Sequence, residues 1–368
     1  MHRVGQAWLA LAISGDALVL GAVTALQFLP ILVIGPWAGV LADRVDRRRL
    51  LMVTQVALGL QALALGALVL NGSVTTGLLM GAAALLGVIT AVDAPARQSI
   101  VSDLVPRDQV VNAVSLNGAS FNAARLLGPA IAGVVIAAFG TGWVFLVNAA
   151  TFVVMLIALA GITTAAPETG RAHGGIRSGM RHVRERPDLL FVIALAGLVS
   201  MFALNSQITT ATMSTLEFGA GPVVFGILGS VMAVGSLAGS LLSARRGRTD
   251  LRIISIAALA LSSATVLAGL APNAWLYAAT LALCGITALT MMTAANSYLQ
   301  TRSDPAQRSR VMSLYLAVFF GTTPLGAPLV GWFTETIGPR AGLVIPGLLA
   351  LAVAVGLLWT FRRRVDFT

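Results

Sequence analysis

The chain is a succession of long apolar runs separated by short polar ones. A run of about 20 apolar residues is the length of a helix that crosses a membrane's hydrocarbon core. Runs of that length fall at 17–41, 50–71, 76–97, 110–139, 142–163, 189–215, 221–243, 252–271, 274–299, 310–336 and 341–361. The pattern therefore predicts an all-α membrane protein with eleven full spans. Residues 1–14 are equally apolar but too short to cross, and Asp16 follows in what reads as an outer turn. They predict the outer half of a further helix, which roughly 20–25 residues upstream would complete.

Charge follows the same punctuation. All 24 basic residues are Arg, and 21 of them lie in or beside 42–49, 98–109, 164–188, 244–251, 300–309 and 362–368. The intervening turns, such as Asn71-Gly72-Ser73 and Ala271-Pro272-Asn273, carry none. Short Arg-rich loops stay on the cytoplasmic side. The alternation thus predicts a multi-pass inner-membrane protein with a cytoplasmic C-terminus. A net charge of +10 raises the possibility of nucleic acid. The aromatic interleaving such a surface needs is missing, so the lipid bilayer is the expected partner. A charged fraction of 10% points the same way, since soluble domains run near ~25%.

Several chemistries drop out. Without Lys there is no phosphate loop, Schiff-base lysine or pyridoxal site. His2, His173 and His182 show no metal-ligand spacing. Cys284 is alone in an apolar run and reads as an inert buried thiol. No cofactor, metal or enzymatic nucleophile–base pair is expected, nor ATP hydrolysis.

Polar residues inside the spans are the candidates for function, because hydrocarbon tolerates them only with a partner or water. Asp93 lies in the inner third of the span 76–97, in Asp93-Ala94-Pro95-Ala96-Arg97-Gln98. Two readings stand for it: an ion pair with Arg97 one turn away, or the carrier of a coupling proton. Arg125 lies near the middle of 110–139. It either binds an anionic substrate or holds Asp93, and Asn117, Ser120 and Asn122 give its span a polar inner part. Asn205, Ser206 and Gln207 in 189–215, and Met291, Met292 and Asn296 in 274–299, read as cavity residues or as interhelical contacts. Methionines with few fixed polar groups suit bulky amphiphiles.

The longest polar stretch, 164–188, separates 1–163 from 189–368. Its Arg181–Arg186 end predicts an amphipathic helix on the inner surface. The segment reads as a linker between halves, a regulatory ligand site being the alternative. The halves repeat. At an offset of 198, Ser115, Leu116, Ala119, Phe121, Gly128, Gly133 and Gly140 match Ser313, Leu314, Ala317, Phe319, Gly326, Gly331 and Gly338. At an offset of 200, Gly35-x-x-Ala38-Gly39-x-Leu41 matches Gly235-x-x-Ala238-Gly239-x-Leu241. Duplicated halves are a known way to build a transporter around a midplane site.

The loop Gly39-Val40-Leu41-Ala42-Asp43-Arg44-Val45-Asp46-Arg47-Arg48 resembles the signature of the major facilitator superfamily between its second and third helices. Asp46 departs from it, standing where Gly is usual. The resemblance implies two six-helix halves, the first helix here being incomplete. It implies that Asp43, with Arg44, Arg47 and Arg48 beside it, belongs to a gating latch that meets the eleventh helix and basic residues of the fourth, Arg97 among them. Ser243 replaces the aspartate in the second half, so such a latch is asymmetric. Gly128-Pro129-x-x-x-Gly133 is similar to the antiporter signature of superfamily exporters, with Ala132 replacing one Gly, and close packing is the alternative reading. In the superfamily the first, fourth, seventh and tenth helices line the cavity, which here makes Asn205, Gln207, Met292 and Asn296 cavity candidates together with Asn117.

Gln6-Ala7-Trp8-Leu9, Ala25-Leu26-Gln27-Phe28-Leu29-Pro30, Asp93-Ala94-Pro95-Ala96-Arg97-Gln98 and Asn112-Ala113-Val114-Ser115-Leu116-Asn117 resemble the bacterial branch holding the enterobactin exporter and multidrug-efflux proteins. The expected function is proton-coupled export of a siderophore or amphiphilic drug by a monomer in the bacterial inner membrane. Uptake or facilitated diffusion of a small metabolite is the alternative, and a membrane scaffold or sensor is another.

Overall fold

The computed structural model describes residues 1–106, 109–162, 176–245, 250–304 and 307–362, the side chains of 36, 39–44, 99, 102, 103, 111, 114, 115, 176–179, 244, 245 and 309 apart. The described residues are almost wholly helical, with no strand among them. Among the described residues, eleven helical stretches are long and apolar enough to cross a membrane, as the sequence pattern predicts.

Contacts divide the chain into two units: residues 1–172 with 221–227, and residues 173–220 with 228–368. The first unit holds α1 (His2–Ser14), α2 (Ala17–Arg44), α3 (Arg47–Leu70), α4 (Thr76–Asp103), α5 (Val110–Phe139) and α6 (Thr141–Ala160). The second holds α7 (Ile176–Glu185), α8 (Pro187–Ala203) and α9 (Ser206–Thr212), which a π-turn at Met213–Glu217 closes. Most of α10 (Pro222–Arg245) follows, then α11 (Leu251–Gly269), α12 (Ala274–Arg302), α13 (Arg308–Gly321), α14 (Thr323–Ile337) and α15 (Ala341–Phe361).

Two predicted spans are interrupted. The run 189–215 breaks at Leu204–Asn205, between α8 and α9. The Asn205 side chain explains it. Its amide nitrogen donates to the Met201 carbonyl at 2.7 Å, the oxygen that a continuing helix would offer to the Asn205 backbone N–H. The run 310–336 breaks at Thr322. Pro324 follows near the start of α14, where a missing N–H costs nothing.

Residues 1–14 form the expected short helix. Gly15 closes it at φ 65°, and the Asp16 carboxylate accepts from the Leu18 N–H at 2.6 Å to start α2. Helix α1 packs on α2, α4, α5 and α6. Its Gln6 receives a hydrogen bond from Gln27 of α2 at 2.6 Å, both side chains being buried.

Inside each unit the helices meet in the same way, through backbones that touch at glycine. In the first, α2 packs on α4 and α3 on α6. A methyl at Gly87 of α4 would fall 2.7 Å from the Gln27 carbonyl oxygen, and one at Gly66 of α3 3.2 Å from the Gly142 carbonyl oxygen. In the second unit, α10 meets α12 at Gly285, where a methyl would fall 2.7 Å from the Ser236 nitrogen. There α11 meets α15 at Gly269, where it would fall 3.0 Å from the Arg340 carbonyl oxygen. Close backbone approach at glycine thus recurs in both units, although the repeat's own pair Gly35 and Gly235 differs, the first having nothing within 4 Å of a built methyl and the second meeting the Ala282 backbone.

Helix α7 lies where 181–186 predicts an amphipathic helix, and it packs on α13. Val183 is buried, while Arg181 and Glu185 are exposed and pair at 3.9 Å. The rest of the predicted linker, through 175, lies outside the described residues.

Candidate functional site

In the first unit the polar groups converge on Asp93. This carboxylate is only 5% exposed. One oxygen accepts from the Thr54 hydroxyl at 2.7 Å and from the Gln55 amide at 2.8 Å, both on α3. The other accepts from Arg97 Nε at 2.8 Å, one turn along α4. A charge taken out of water needs that many partners, since an unpaired one costs several kcal/mol. Arg97 itself keeps a side chain 42% exposed, so one edge of the pair reaches outward. The geometry joins Asp93 to Arg97 as the spacing predicts. Thr54 and Gln55 were not predicted, although two adjacent polar residues in an apolar run were a visible signal.

The loop between α2 and α3 is built by its own charges. Asp46 caps α3, its carboxylate accepting from the Arg48 and Arg49 N–H groups at 2.9 and 3.2 Å. An aspartate where the superfamily signature has glycine thus has a local reason: it satisfies orphan donors of a helix N-terminus. Arg48 reaches across to the end of α6, donating to the Leu159 carbonyl at 2.7 Å and the Ala160 carbonyl at 2.8 Å. A cation on these C-terminal carbonyls is also favoured by the helix dipole. Arg47 is half-buried. The side chains of Asp43 and Arg44 lie outside the described residues, at the end of α2.

Helix α5 carries the antiporter-like residues and Arg125. A methyl at Gly133 would fall 2.5 Å from the Pro222 carbonyl oxygen and 3.0 Å from Gly226 Cα. One at Gly226 would fall 2.5 Å from the Pro129 carbonyl oxygen. Within the first unit, then, Pro129 and Gly133 press backbone to backbone on residues 222–226. Gly128 is looser, its nearest neighbour lying 3.6 Å from such a methyl. Arg125 and Asn117 are exposed. The reading in which Arg125 holds Asp93 is corrected here: the Asp93 oxygens are taken by Thr54, Gln55 and Arg97.

The second unit places its candidates on α8, α9 and α12. Asn205 is buried at the helix break, with its carbonyl oxygen unpartnered. Gln207 is half-buried just beyond it. Met292 and Asn296 line a cavity of about 320 Å³ with Thr293, Ser297, Gln300 and Thr301. Those positions recur at i, i+1, i+4 and i+5, one face of one helix. Sequence reasoning missed a second ion pair nearby. Arg186 grips Asp188 with two bonds of 3.0 and 2.8 Å, and the Tyr298 hydroxyl donates to the same carboxylate at 3.2 Å. The hydrogen bond to Asp188 holds the Arg186 guanidinium above its ordinary range. An acid in the first turn of an apolar helix was the available signal.

The two units differ where Asp93 sits. The registers that align Gly87 with Gly285 and Gly66 with Gly269 set Asp93 and Arg97 against Met291 and Ala295. They set Thr54 and Gln55 against Ala257 and Ala258. All four of these belong to the apolar core of the second unit. The fold accepts an apolar layer here, so the polar one in the first unit is not required for packing.

A family model described as transmembrane secretion effector matches residues 1–366. The chain is 24% identical to the staphyloferrin A transporter of Staphylococcus aureus, over 96% of this chain and 90% of that protein. It is 23% identical to macrolide efflux protein A of Streptococcus pyogenes, covering 93% and 87% of the two chains. With the enterobactin exporter of Escherichia coli it shares 27% identity, covering 97% and 85%. Among solved structures, a bacterial homologue of the human lysosomal transporter Spinster, inward-facing and unoccupied, superposes with a TM-score of 0.75. Its identity is 15%, and 98% of this chain and 94% of that one are covered.

Proposed function

Because the chain belongs to the major facilitator superfamily, in its transmembrane secretion effector family, and is a multi-pass membrane transporter rather than an enzyme, we propose that it is a proton-coupled exporter. Its cargo is a siderophore or an amphiphilic drug, and it works by alternating access as a monomer in a bacterial inner membrane. The observation that carries this reading is the buried Asp93, tied to Arg97, Thr54 and Gln55 in one unit and matched by apolar residues in the other. An intramembrane carboxylate is a candidate proton carrier. Protonating it and pairing it with Arg97 are alternatives, so a proton taken up by Asp93 frees Arg97. That exchange gives the unit two states that a proton gradient biases.

The relatives named for siderophore transport and for drug efflux support export as the direction. In inverted vesicles carrying the full chain, a proton gradient is expected to drive accumulation of an amphiphilic dye such as ethidium. A protonophore should abolish it. Accumulation that survives the protonophore would defeat proton coupling.

Orientation has its own check. The 21 arginines of the alternate loops put Ser73 outside and Ser243 inside. Cysteine placed at Ser73 should react with an impermeant thiol reagent from the outer face, and cysteine at Ser243 only from the inner face. Cys284 is buried and gives little background. Labelling of both positions from one side would refute the assigned topology.

A further inference from the structure

We infer that Arg125 is an anion subsite on the transport path, taking a carboxylate, catecholate or similar paired-oxygen group of the exported molecule. This rests on the export reading above and names its substrate class. Arg125 is the sixteenth of 30 residues in α5, roughly 22 Å along the helix at ~1.5 Å per residue, which is mid-membrane. It is exposed, and among the described residues no carboxylate pairs with it and no hydrogen bond reaches it. A guanidinium facing lipid at that depth costs from about 3 to more than 10 kcal/mol. Its face therefore looks onto water or a ligand.

The surroundings fit an anion. At about 100° per residue, Asn117, Gly118 and Asn122 lie on the side of α5 that carries Arg125. Asn117 is exposed, and Gly118 leaves open space, with nothing within 4 Å of a built methyl. Phe121, 67% exposed, lies on the same side, so the face is open, part polar and part aromatic, with one fixed positive charge. A guanidinium presents its donors as a rigid fork that matches two neighbouring oxygens. Asp93, the buried acid among the described residues, is held by Thr54, Gln55 and Arg97, and α5 itself carries no acid to recruit a cation. A lipid phosphate could supply the same chemistry, but the headgroups lie about 15 Å from the midplane of a core ~30 Å thick.

The test uses the purified full chain in phosphatidylcholine vesicles, with citrate and 2,3-dihydroxybenzoate as anionic probes and ethidium as the cationic one. Binding is read by ligand-induced thermal shift and transport by flux. Arg125→Gln is expected to weaken both anions at least tenfold, to reduce ethidium flux by a clearly smaller factor, and to keep or raise the unliganded thermal midpoint. Arg125→Lys should recover part of the anion affinity, because it restores the charge without the fork. Equal loss for anions and ethidium, or a lowered unliganded midpoint, would assign Arg125 a structural role and overturn the inference. If the wild type moves ethidium and ignores both anions, the inference fails while export stands. If it moves nothing under a proton gradient, the export reading fails and takes the inference with it. Phosphatidylglycerol vesicles form the last arm: abolition of anion binding there would make Arg125 a lipid contact.

Discussion

Asp93→Asn is expected to abolish gradient-driven accumulation of substrate while leaving counterflow exchange, which needs no proton, within a few-fold of wild type. Asparagine keeps the shape and one acceptor oxygen. It replaces the other oxygen with an NH₂ group that faces donors from Arg97 or from Thr54 and Gln55. The ion pair is lost, and so is the group that takes up the proton. Breaking a buried pair by removing one partner costs roughly 3–5 kcal/mol. Arg97 is 42% exposed and regains water, which puts the cost toward the lower end. Asp93→Ala should be worse in stability, since it strands the Thr54 and Gln55 donors as well. The measurement is a pair of assays on one vesicle preparation, accumulation and counterflow, beside the thermal midpoint. Parallel loss of both transport modes would reduce Asp93 to a structural ion pair and remove the main support for proton coupling.

Gly133→Ala should damage the protein more than a single added methyl suggests. The new carbon would lie 2.5 Å from the Pro222 carbonyl oxygen and 3.0 Å from Gly226 Cα. Both are backbone atoms, so no rotamer change relieves the clash and the helices must separate. Overpacking of this kind costs about 1–3 kcal/mol, and larger residues such as Leu should block assembly. Gly226→Ala strikes the same contact at 2.5 Å from the Pro129 carbonyl. The two substitutions should therefore be less than additive, since the first already parts the helices. Gly81→Ala is the control, because nothing lies within 4 Å of its built methyl. It should be neutral or stabilising by up to ~1 kcal/mol through helix propensity. Comparable stability and transport for Gly133→Ala and Gly81→Ala would show that the close approach does not matter.

The sequence made the spans legible because the length of an apolar run is a direct consequence of membrane thickness. It made the Asp93–Arg97 pair legible because four-residue spacing stacks side chains on one helix face. Contacts set by tertiary packing stayed hidden. Thr54 and Gln55 reach Asp93 from another helix, 39 and 38 positions away in the chain. Arg48 finds the end of α6 from 111 residues off. The break at Asn205 was also invisible, since Asn inside an apolar run is compatible with either a continuing helix or a side chain that replaces its own backbone donor. The loop signature drew attention to Asp43, whose side chain lies outside the described residues. The departure from that signature, Asp46, has a role that local helix-capping rules explain.

The solitude of Asp93 has an energetic consequence. Among the described residues it is the single buried carboxylate, which sets the proposed exchange at one proton per cycle. One elementary charge crossing 100 mV releases about 2.3 kcal/mol. At about 1.4 kcal/mol per factor of ten, that sustains a concentration ratio near fiftyfold. If the cargo leaves as a monoanion held at Arg125, its outward movement is also downhill in an interior-negative potential. Two charges then move per turnover, and the attainable ratio rises to about 2,000-fold on the same arithmetic. A carrier with one proton site would reach steep gradients through the charge of what it exports, and its turnover would register as an electrical current.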